Sequence, residues 1–255
     1  MKNLILSALI LLFTGLSSSL AQADDSNRLT VVELFTSQGC SSCPPADAAL
    51  KSLRNRPGTL TLSWPVDYWD RLGWEDTFAH PHNAIRQAAY NKRLGRGGVF
   101  TPQMILDGRV QCVGSKPEKV RASIAKVRSM NHPWVRPSLT SMADNTVRVT
   151  LPATDVEGPV SIRVVWYLGD AEVEIGDGEN QGRRLYYTNV VRASDVVDME
   201  WQGKAETLTL DLGAGRAAGA DHVAILLQQD YVHGPIIGAA SLTLPEASTQ
   251  ASAKR

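Results

Sequence analysis

Apolar and polar residues in the first half of the chain follow two different periods. Residues 30–36 and 60–66 are largely apolar without interruption, which predicts two buried strands. Residues 46–53 and 84–94 carry apolar side chains at helical spacing, and the second of these segments ends at a glycine. Strands that alternate with helices are typical of an α/β protein, here with a mixed sheet flanked by helices.

A hairpin and a third helix complete this half. Residues 103–113 contain two short apolar runs around Asp107-Gly108, a dipeptide typical of two-residue hairpin turns. Ser115 and Glu118 have the spacing of a capping box, which predicts that the third helix opens there.

The pattern changes after residues 131–137, which contain two prolines and no periodicity. Beyond this linker, short alternating runs are separated by Gly, Asp and Pro turns. The predicted strands are 146–151, 160–168, 183–191, 205–212, 223–229 and 236–244. We therefore expect an α/β domain at 28–130, an all-β sandwich-like domain at 138–245 and a disordered tail at 246–255.

The first residues have the features of an export signal. Lys2 is the only charged residue among residues 1–23, residues 4–13 are almost wholly apolar, and Ala23 closes a small-x-small cleavage site. We expect this segment to be removed and the mature protein to be periplasmic or secreted. No later stretch approaches the roughly 20 apolar residues of a membrane span.

Charge and cysteine content narrow the possible partners. The chain has 26 basic and 26 acidic side chains, so nucleic acid and anionic membrane surfaces are poor candidates. Its three cysteines are too few for a disulfide-stapled miniprotein, but export would favour a disulfide between two close ones. We expect the third, Cys112, to be a buried small apolar residue. The sequence does not indicate an oligomeric state.

Cys40 and Cys43 follow a predicted strand and precede a predicted helix. Unsatisfied N–H groups and the helix dipole at such a position stabilise a thiolate, and two intervening residues bring the sulfurs together. Because Ser41 and Ser42 are small, we expect Cys40 to be open to solvent. The hypothesis is that Cys40 is the nucleophile and Cys43 the resolving thiol of a disulfide exchanger.

Two other interpretations of this pair stay open. A permanent disulfide would serve only to hold the loop, although such a short loop gains little from a crosslink. Alternatively, the two thiolates and a histidine, His80 or His82, would suit copper or zinc. The sequence has no second vicinal cysteine pair, and we expect neither a metal nor an organic cofactor.

Thr101-Pro102 precedes the first strand of the predicted hairpin. A cis proline here would hold the Thr101 backbone beside the sulfurs, where it can pair with an extended peptide. An ordinary trans proline at a strand start is the commoner case, and only the cysteine pair favours the cis form.

Glu33 interrupts an apolar strand seven residues before Cys40. A buried acid there could relay a proton to the resolving thiol, because desolvation raises a carboxyl pKa towards neutrality. A strand position that faces solvent explains Glu33 equally well.

An aromatic segment lies between the second strand and the second helix. Tyr68, Trp69, Trp74 and Phe78 could line a substrate groove. Such clusters are more often small packed cores beneath a long loop, and we favour that interpretation.

Several blocks of the chain resemble a bacterial secreted thioredoxin-like family catalogued only as a domain of unknown function. They are VELFTSQGCSSCPPAD at 32–47, VDYWD at 66–70, LGW at 72–74, TPQM at 101–104, GEN at 178–180, NVVR at 189–192 and GAA at 238–240. The resemblance implies a thioredoxin-like domain with Cys40, Cys43 and Pro102 in their usual positions, followed by a β-rich domain. It implies no substrate. Ser41-Ser42 differs from the Gly-Pro of thioredoxin itself, so the direction of exchange stays open.

The sequence therefore favours an exported thiol-disulfide oxidoreductase. Its site would comprise Cys40, Cys43, Thr101, Pro102 and Glu33, and its partner would be a protein or a small thiol. The alternatives are a non-catalytic envelope binding module with a structural disulfide, and a copper-binding protein.

Overall fold

The structure is a computed structural model that describes residues 28–231 and 233–246. The expected signal peptide at 1–23 lies outside the described residues, and so does the expected tail apart from Glu246. No α-helix among the described residues combines the length and apolar character needed to cross a membrane.

Eleven strands and four α-helices make up the described chain. The strands are β1 Thr30–Thr36, β2 Thr59–Pro65, β3 Gln103–Leu106, β4 Val110–Val113, β5 Ser138–Ser141, β6 Thr146–Leu151, β7 Val160–Glu174, β8 Arg184–Trp201, β9 Glu206–Asp211, β10 His222–Gln229 and β11 Ile236–Thr243. The α-helices are α1 Pro44–Arg54, α2 Pro81–Arg93, α3 Pro117–Arg128 and α4 Leu212–Ala217. The mixed α/β class predicted from the sequence is confirmed.

One large mixed sheet contains strands from both halves of the chain. Its order is β11-β10-β7-β8-β2-β1-β3-β4, while β5, β6 and β9 form a separate sheet of order β5-β6-β9. Strands β2 and β8 join the two halves in parallel, with Ser63 opposite Val190. Beside this pair, the Asn189 side chain donates hydrogen bonds to the backbone oxygen and hydroxyl of Thr61, at 2.8 and 2.9 Å.

This topology differs from the expected α/β domain followed by a separate β-sandwich. Four strands beyond the expected linker 131–137 extend the first sheet, and only three build a second layer. The linker itself is packed: the Val135 backbone N–H donates to the Ile237 oxygen at 2.7 Å, and its side chain is buried. Strand alternation predicts which face of a strand is buried, but it contains no information about which strands become neighbours.

Residues of β1 alternate between the two faces of the large sheet. Val32 and Leu34 pack with side chains of α1 and α3. Val31 and Phe35 point the other way and join a cluster that includes Tyr90 of α2. The strand before the cysteine pair is therefore buried on both faces, which explains why its residues other than Glu33 do not alternate between polar and apolar.

Strand β7 alternates in the same manner. Val164 and Trp166 belong to a core shared with the three-stranded sheet. Val165 and Tyr167 contribute to the cluster that contains Tyr90. A single apolar cluster therefore contains side chains from both halves of the chain.

Local predictions differ in detail from the structure. Helix α3 has Lys116 as its N-cap without a side-chain capping bond, so the capping box predicted at Ser115 and Glu118 is wrong. The hairpin turn has three residues, because Leu106 pairs with Val110. Its Asp107 and Gly108 both have positive φ, of 46° and 62°, as the dipeptide predicted.

Candidate functional site: the Cys40–Cys43 loop

The cysteine loop connects the end of β1 to the start of α1. Cys40 and Cys43 form a disulfide with their Cα atoms 5.4 Å apart. Cys43 is the N-cap of α1, and the next two residues are prolines, which lose nothing in a first turn whose N–H groups have no helical partner. The Cys43 N–H donates to the Cys40 oxygen at 3.1 Å, closing a tight turn that brings both cysteines to the helix end.

Both cysteines are buried in this disulfide form. Cys40 and Cys43 are each 0% exposed, whereas Ser41 and Ser42 between them are exposed. The expectation that small neighbours leave Cys40 open is therefore wrong for this state. The hydroxyl of Ser42 lies beside Cys40 Sγ, at 3.4 Å.

The tip of the β7–β8 hairpin covers the cysteine loop from the second half of the chain. Here the short 3₁₀ helix Gly178–Asn180 lies against the loop. The Asn180 side chain donates to the backbone oxygens of Gln38 and Cys40, at 2.8 and 3.0 Å. Glu179 accepts a hydrogen bond from the Ser41 N–H at 3.1 Å, and hydrogen bonding from the Ser41 side chain and backbone lowers the pKa of the Glu179 carboxyl.

Trp69 links the cysteine loop to the Thr101-Pro102 segment. A Cβ atom added to Gly39 would lie 3.2 Å from the Trp69 Cβ, so a glycine allows this close approach. The Trp69 indole N–H donates to the Thr101 hydroxyl at 2.8 Å. The Thr101–Pro102 peptide bond is cis, as the sequence analysis expects beside a cysteine pair. Strand register agrees with this proximity, because Phe35 near the end of β1 lies opposite Gln103.

The aromatic segment divides between the two interpretations offered for it. Trp74 and Phe78 pack against the apolar cluster of the β7–β8 hairpin, as a small packed core does. Tyr68 and Trp69 pack against the cluster that includes Phe35 and Tyr90, and they also line an open depression of about 690 Å³ that includes Thr101. A groove beside Thr101 is therefore present, although only half of the aromatic segment forms it.

Glu33 is buried within a hydrogen-bonded network. Its carboxylate accepts a hydrogen bond from Arg86 Nε at 2.8 Å and another from the Tyr90 hydroxyl at 2.5 Å. Gln228 from the second half contacts both Arg86 and Tyr90. The alternative of a solvent-facing Glu33 is wrong, since the residue is 0% exposed. The ion pair with Arg86 holds the Glu33 carboxylate on the face of the sheet against which α2 packs.

A second buried acid, which the sequence analysis missed, lies one helical turn after Cys43. The Asp47 N–H donates to the Cys43 oxygen at 3.2 Å, and burial together with the nearby Asp76 raises the pKa of its carboxyl to about 8. Asp47 Oδ1 has no hydrogen-bond partner among the described residues. The i, i+4 spacing from Cys43 on the face that also buries Ala46 and Leu50 is the signal that could have identified it.

Asp76 approaches the same loop from the aromatic segment. Its carboxylate accepts from the Gln38 N–H at 2.8 Å and from the Phe78 N–H at 2.9 Å. Burial raises the pKa of Asp76 to about 6 despite these bonds. Two carboxyl groups with raised pKa values therefore lie near the cysteine loop, and neither has a cationic partner among the residues that shift it.

The remaining candidate ligands lie apart from one another. Cys112 is buried in the core with α3, as predicted, and burial raises the pKa of its thiol. His80 and His82 stack with their Nδ1 atoms 3.1 Å apart. Within residues 28–231 and 233–246, no group of three or more His, Cys, Asp or Glu side chains has a metal-binding arrangement.

The fold and the site define the class of this protein. It is a mixed α/β protein with a buried disulfide between β1 of its large sheet and helix α1. More particularly, a family model described as "Protein of unknown function (DUF1223)" matches residues 31–228, and the chain belongs to this family. A crystal structure of an Agrobacterium tumefaciens protein, solved as a structural genomics target, is similar, with 32% identity and a TM-score of 0.74. The alignment covers 86% of this chain and 96% of that one. No curated protein matches.

Proposed function

We propose that this protein is an exported thiol-disulfide oxidoreductase whose redox centre is the Cys40–Cys43 disulfide. One observation carries the proposal. The disulfide lies in a tight four-residue turn, between the fully buried strand β1 and the N-terminal end of α1. In that position the helix end favours the thiolate of an exchanging cysteine. Export is inferred from the apolar N-terminal pattern of the sequence.

We further propose that residues 28–130 contain a thioredoxin-like unit. Supporting this, β1 has parallel β2 on one side and antiparallel β3 on the other, with β4 at the edge. Helices α1 and α3 pack on one face of β1, and α2 packs on the other. Thioredoxin-like units have this order of strands and helices. The remaining strands of the large sheet would then be an extension specific to this family.

The exchange would proceed through a mixed disulfide. A partner thiolate attacks Cys40 Sγ, the bond from Cys40 to Cys43 breaks, and Cys43 leaves with the electron pair. A second partner thiolate then attacks the mixed disulfide, and Cys40 leaves as a thiolate. The partner dithiol is thereby oxidised to a disulfide while the protein gains two electrons. The reverse sequence reduces a partner disulfide, with the Cys40 thiolate as the attacking group.

Asp47 fits the acid-base role in this exchange better than Glu33 does. With a pKa of about 8, the Asp47 carboxyl is largely protonated at neutral pH and can give a proton to the departing Cys43 sulfur. Glu33 is instead held by Arg86 and Tyr90. We therefore propose Asp47 as the proton donor and acceptor, and assign Glu33 to the buried network.

Access to the sulfurs requires movement of the covering segments. Because Cys40 is 0% exposed and Asn180 bonds its backbone oxygen, we propose that Gly178–Asn180 moves away from the loop when a partner thiolate reaches Cys40. The groove formed by Tyr68, Trp69 and Thr101 is where the partner chain would bind once the tip has moved. Thr101 and Pro102 would then position that chain beside Cys40.

The decisive experiment is a covalent trap. A Cys43→Ser variant leaves Cys40 without its resolving thiol, so exchange should stop at the mixed disulfide. Cys112→Ala in the same chain removes the third thiol. We expect adducts on Cys40, released by reductant and identified by mass spectrometry, when the variant is expressed with its export signal. The matched control is Cys40→Ser, Cys112→Ala. Equal yields of adduct from the two variants, or none from either, would contradict the proposal.

One observation favours a second candidate, a non-catalytic module with a structural disulfide. Both sulfurs are fully buried, which is typical of a disulfide that resists reduction. The reduction potential of the pair separates the candidates. A value below about −300 mV favours the structural role, and a value nearer −200 mV favours exchange.

A further inference from the structure

A second cavity, unrelated to the cysteine loop, lies where the N-terminal end of α2 meets β7 and β8. Its volume is about 490 Å³, which is within the usual range for small-molecule sites. Neither cysteine contributes to its lining, and neither does Thr101 or Pro102. The proposed redox function therefore leaves this cavity unexplained.

Cationic side chains dominate the polar part of the lining. Arg86, Arg163 and Arg192 all line the cavity. Arg86 is held by Glu33, and Arg192 Nε donates to the Ala218 oxygen at 3.1 Å. Arg163, like Arg192, has no carboxylate among the ion pairs formed by the described residues.

Arg163 is the side chain best placed to bind a ligand. It is only 9% exposed, and one terminal nitrogen donates to the Ser194 hydroxyl at 3.0 Å. Its Nε is buried and has no hydrogen-bond partner within the described part of the chain. Burial lowers the pKa of Arg163 to about 10, so the guanidinium stays charged at neutral pH. A buried cation that no carboxylate pairs with is costly, and an anion in the cavity would compensate its charge.

The acidic groups near the cavity offset this charge only in part. Glu33 is already paired with Arg86, and Asp195, which lines the cavity and attracts Arg163, is exposed. His233 also lines the cavity. Burial and the positive charges of Arg86 and Arg163 lower the pKa of its imidazole to about 4. His233 is therefore neutral at pH 7, in a field that favours a bound anion.

Apolar side chains form another part of the lining, beside the polar residues His80, His82 and Asn83. Trp64, Val191 and Val196 form part of the wall, and Ile85, 59% exposed, also lines the cavity. An inorganic anion would leave these surfaces without contacts. We propose that this cavity binds a small organic anion, a carboxylate or phosphate monoester, whose acid group pairs with Arg163 and whose apolar part packs against Trp64 and the valines.

Two pairs of probes test this proposal on the full mature chain: benzoate with benzamide, and phenyl phosphate with inorganic phosphate. We expect benzoate and phenyl phosphate to shift the Arg163 Nε–H resonance in a ¹H–¹⁵N titration. Benzamide, the neutral analogue of benzoate, should bind at least tenfold more weakly, because it cannot form the charge-assisted bond. Inorganic phosphate should also bind at least tenfold more weakly than phenyl phosphate. Equal binding of either pair, or no shift with any anion at millimolar concentration, would overturn the proposal.

Variants locate the binding. Arg163→Gln should weaken benzoate binding about tenfold or more, and Arg163→Lys should retain part of it. Arg148→Gln, at an exposed position on β6, is the matched control and should bind benzoate as the natural chain does. Should Arg163→Gln fail to fold, Ile85→Glu places a negative charge on an exposed lining residue and should also weaken binding. Unchanged binding in both Arg163→Gln and Ile85→Glu would locate the anion elsewhere and refute the site.

Discussion

Glu33 of β1 and Asp47 of α1 are both buried acids, yet their surroundings differ. Glu33 accepts hydrogen bonds from Arg86 and Tyr90, so its charge is compensated. Asp47 Oδ1 has no partner among the described residues, and the neighbouring Asp76 adds a like charge. The first acid therefore stabilises the fold as a carboxylate, while the second is stable in the fold as a neutral acid.

Asp47→Asn should change how stability depends on pH. Burial raises the pKa of Asp47 from 3.8 to about 8, so the folded chain keeps a proton that the unfolded chain releases. Stability from this group is fully present below about pH 4 and is lost as pH rises through about 8. The natural chain should lose on the order of 3 kcal/mol relative to Asp47→Asn between about pH 5 and pH 9.

Urea unfolding followed by tryptophan fluorescence at the two pH values measures this difference. Asp155→Asn, at an exposed loop position, is the control and should show the same pH dependence as the natural chain. If the difference in unfolding free energy between Asp47→Asn and the natural chain is the same at both pH values, the folded chain does not hold Asp47 as a neutral acid.

Glu33→Gln should destabilise the fold strongly. The substitution leaves Arg86 charged and buried, and breaking a buried ion pair costs about 3 kcal/mol or more. Adding Arg86→Met should restore part of the loss, because the unpaired charge is removed. Chemical denaturation of the single and double variants measures both effects. A loss below about 1 kcal/mol in Glu33→Gln would show that the network does not stabilise the fold.

The sequence allows prediction of the residues whose chemistry is local. The sequence shows a cysteine pair between a strand and a helix, and a proline before a strand. The structure has both features where they were expected. Asp47 was missed because its raised pKa depends on Asp76 and on burial beneath distant segments. Those neighbours come together only when the chain has folded.

At the scale of elements, the β7–β8 hairpin is the feature that sequence patterns describe least well. The strands were predicted to end near Leu168 and to restart near Arg183, but pairing continues out to Glu174 and Arg184. Polar residues alternate with apolar ones in the outer part of the hairpin, so its apolar run ends before its hydrogen bonding does. This extra length brings Gly178–Asn180 to the cysteine loop.

Asn180→Ala should loosen this contact. The side chain donates to the oxygens of Gln38 and Cys40, and losing two such bonds weakens the closed state by about 1–2 kcal/mol. We expect the Cys40–Cys43 disulfide to be reduced about tenfold faster by a fixed concentration of phosphine, as measured by quenched alkylation. Asn131→Ala, at an exposed position of the linker, is the control. A rate within about twofold of the natural chain would show that Asn180 does not restrict access.

At the scale of the whole molecule, the second half completes the core of the first. The cluster around Phe35 and Tyr90 includes Val165, Tyr167 and Leu226, which all lie beyond the linker. Strand order could not be predicted, because a strand that is apolar on both faces pairs equally well with several neighbours. The mixed α/β class could be predicted, since it follows from local periodicity alone.

A fragment of residues 28–130 should therefore fail to fold by itself. It would expose the edge of β2 and the apolar cluster that β7, β8 and β10 cover. We expect this fragment to show no cooperative thermal transition by circular dichroism and to give poorly dispersed NMR spectra. Residues 28–246 should show a cooperative transition and well-dispersed spectra. Cooperative unfolding of the fragment would instead support an autonomous first domain.

The pairing of β2 with β8 also sets an order of events during synthesis. Asn189 and its acceptor Thr61 are 128 positions apart in the chain. A ribosome adding about 5–20 residues per second needs roughly 6 to 26 seconds to make the intervening segment. Throughout that interval β2 has β1 as its only neighbour, so its other edge stays unpaired until β8 has been made.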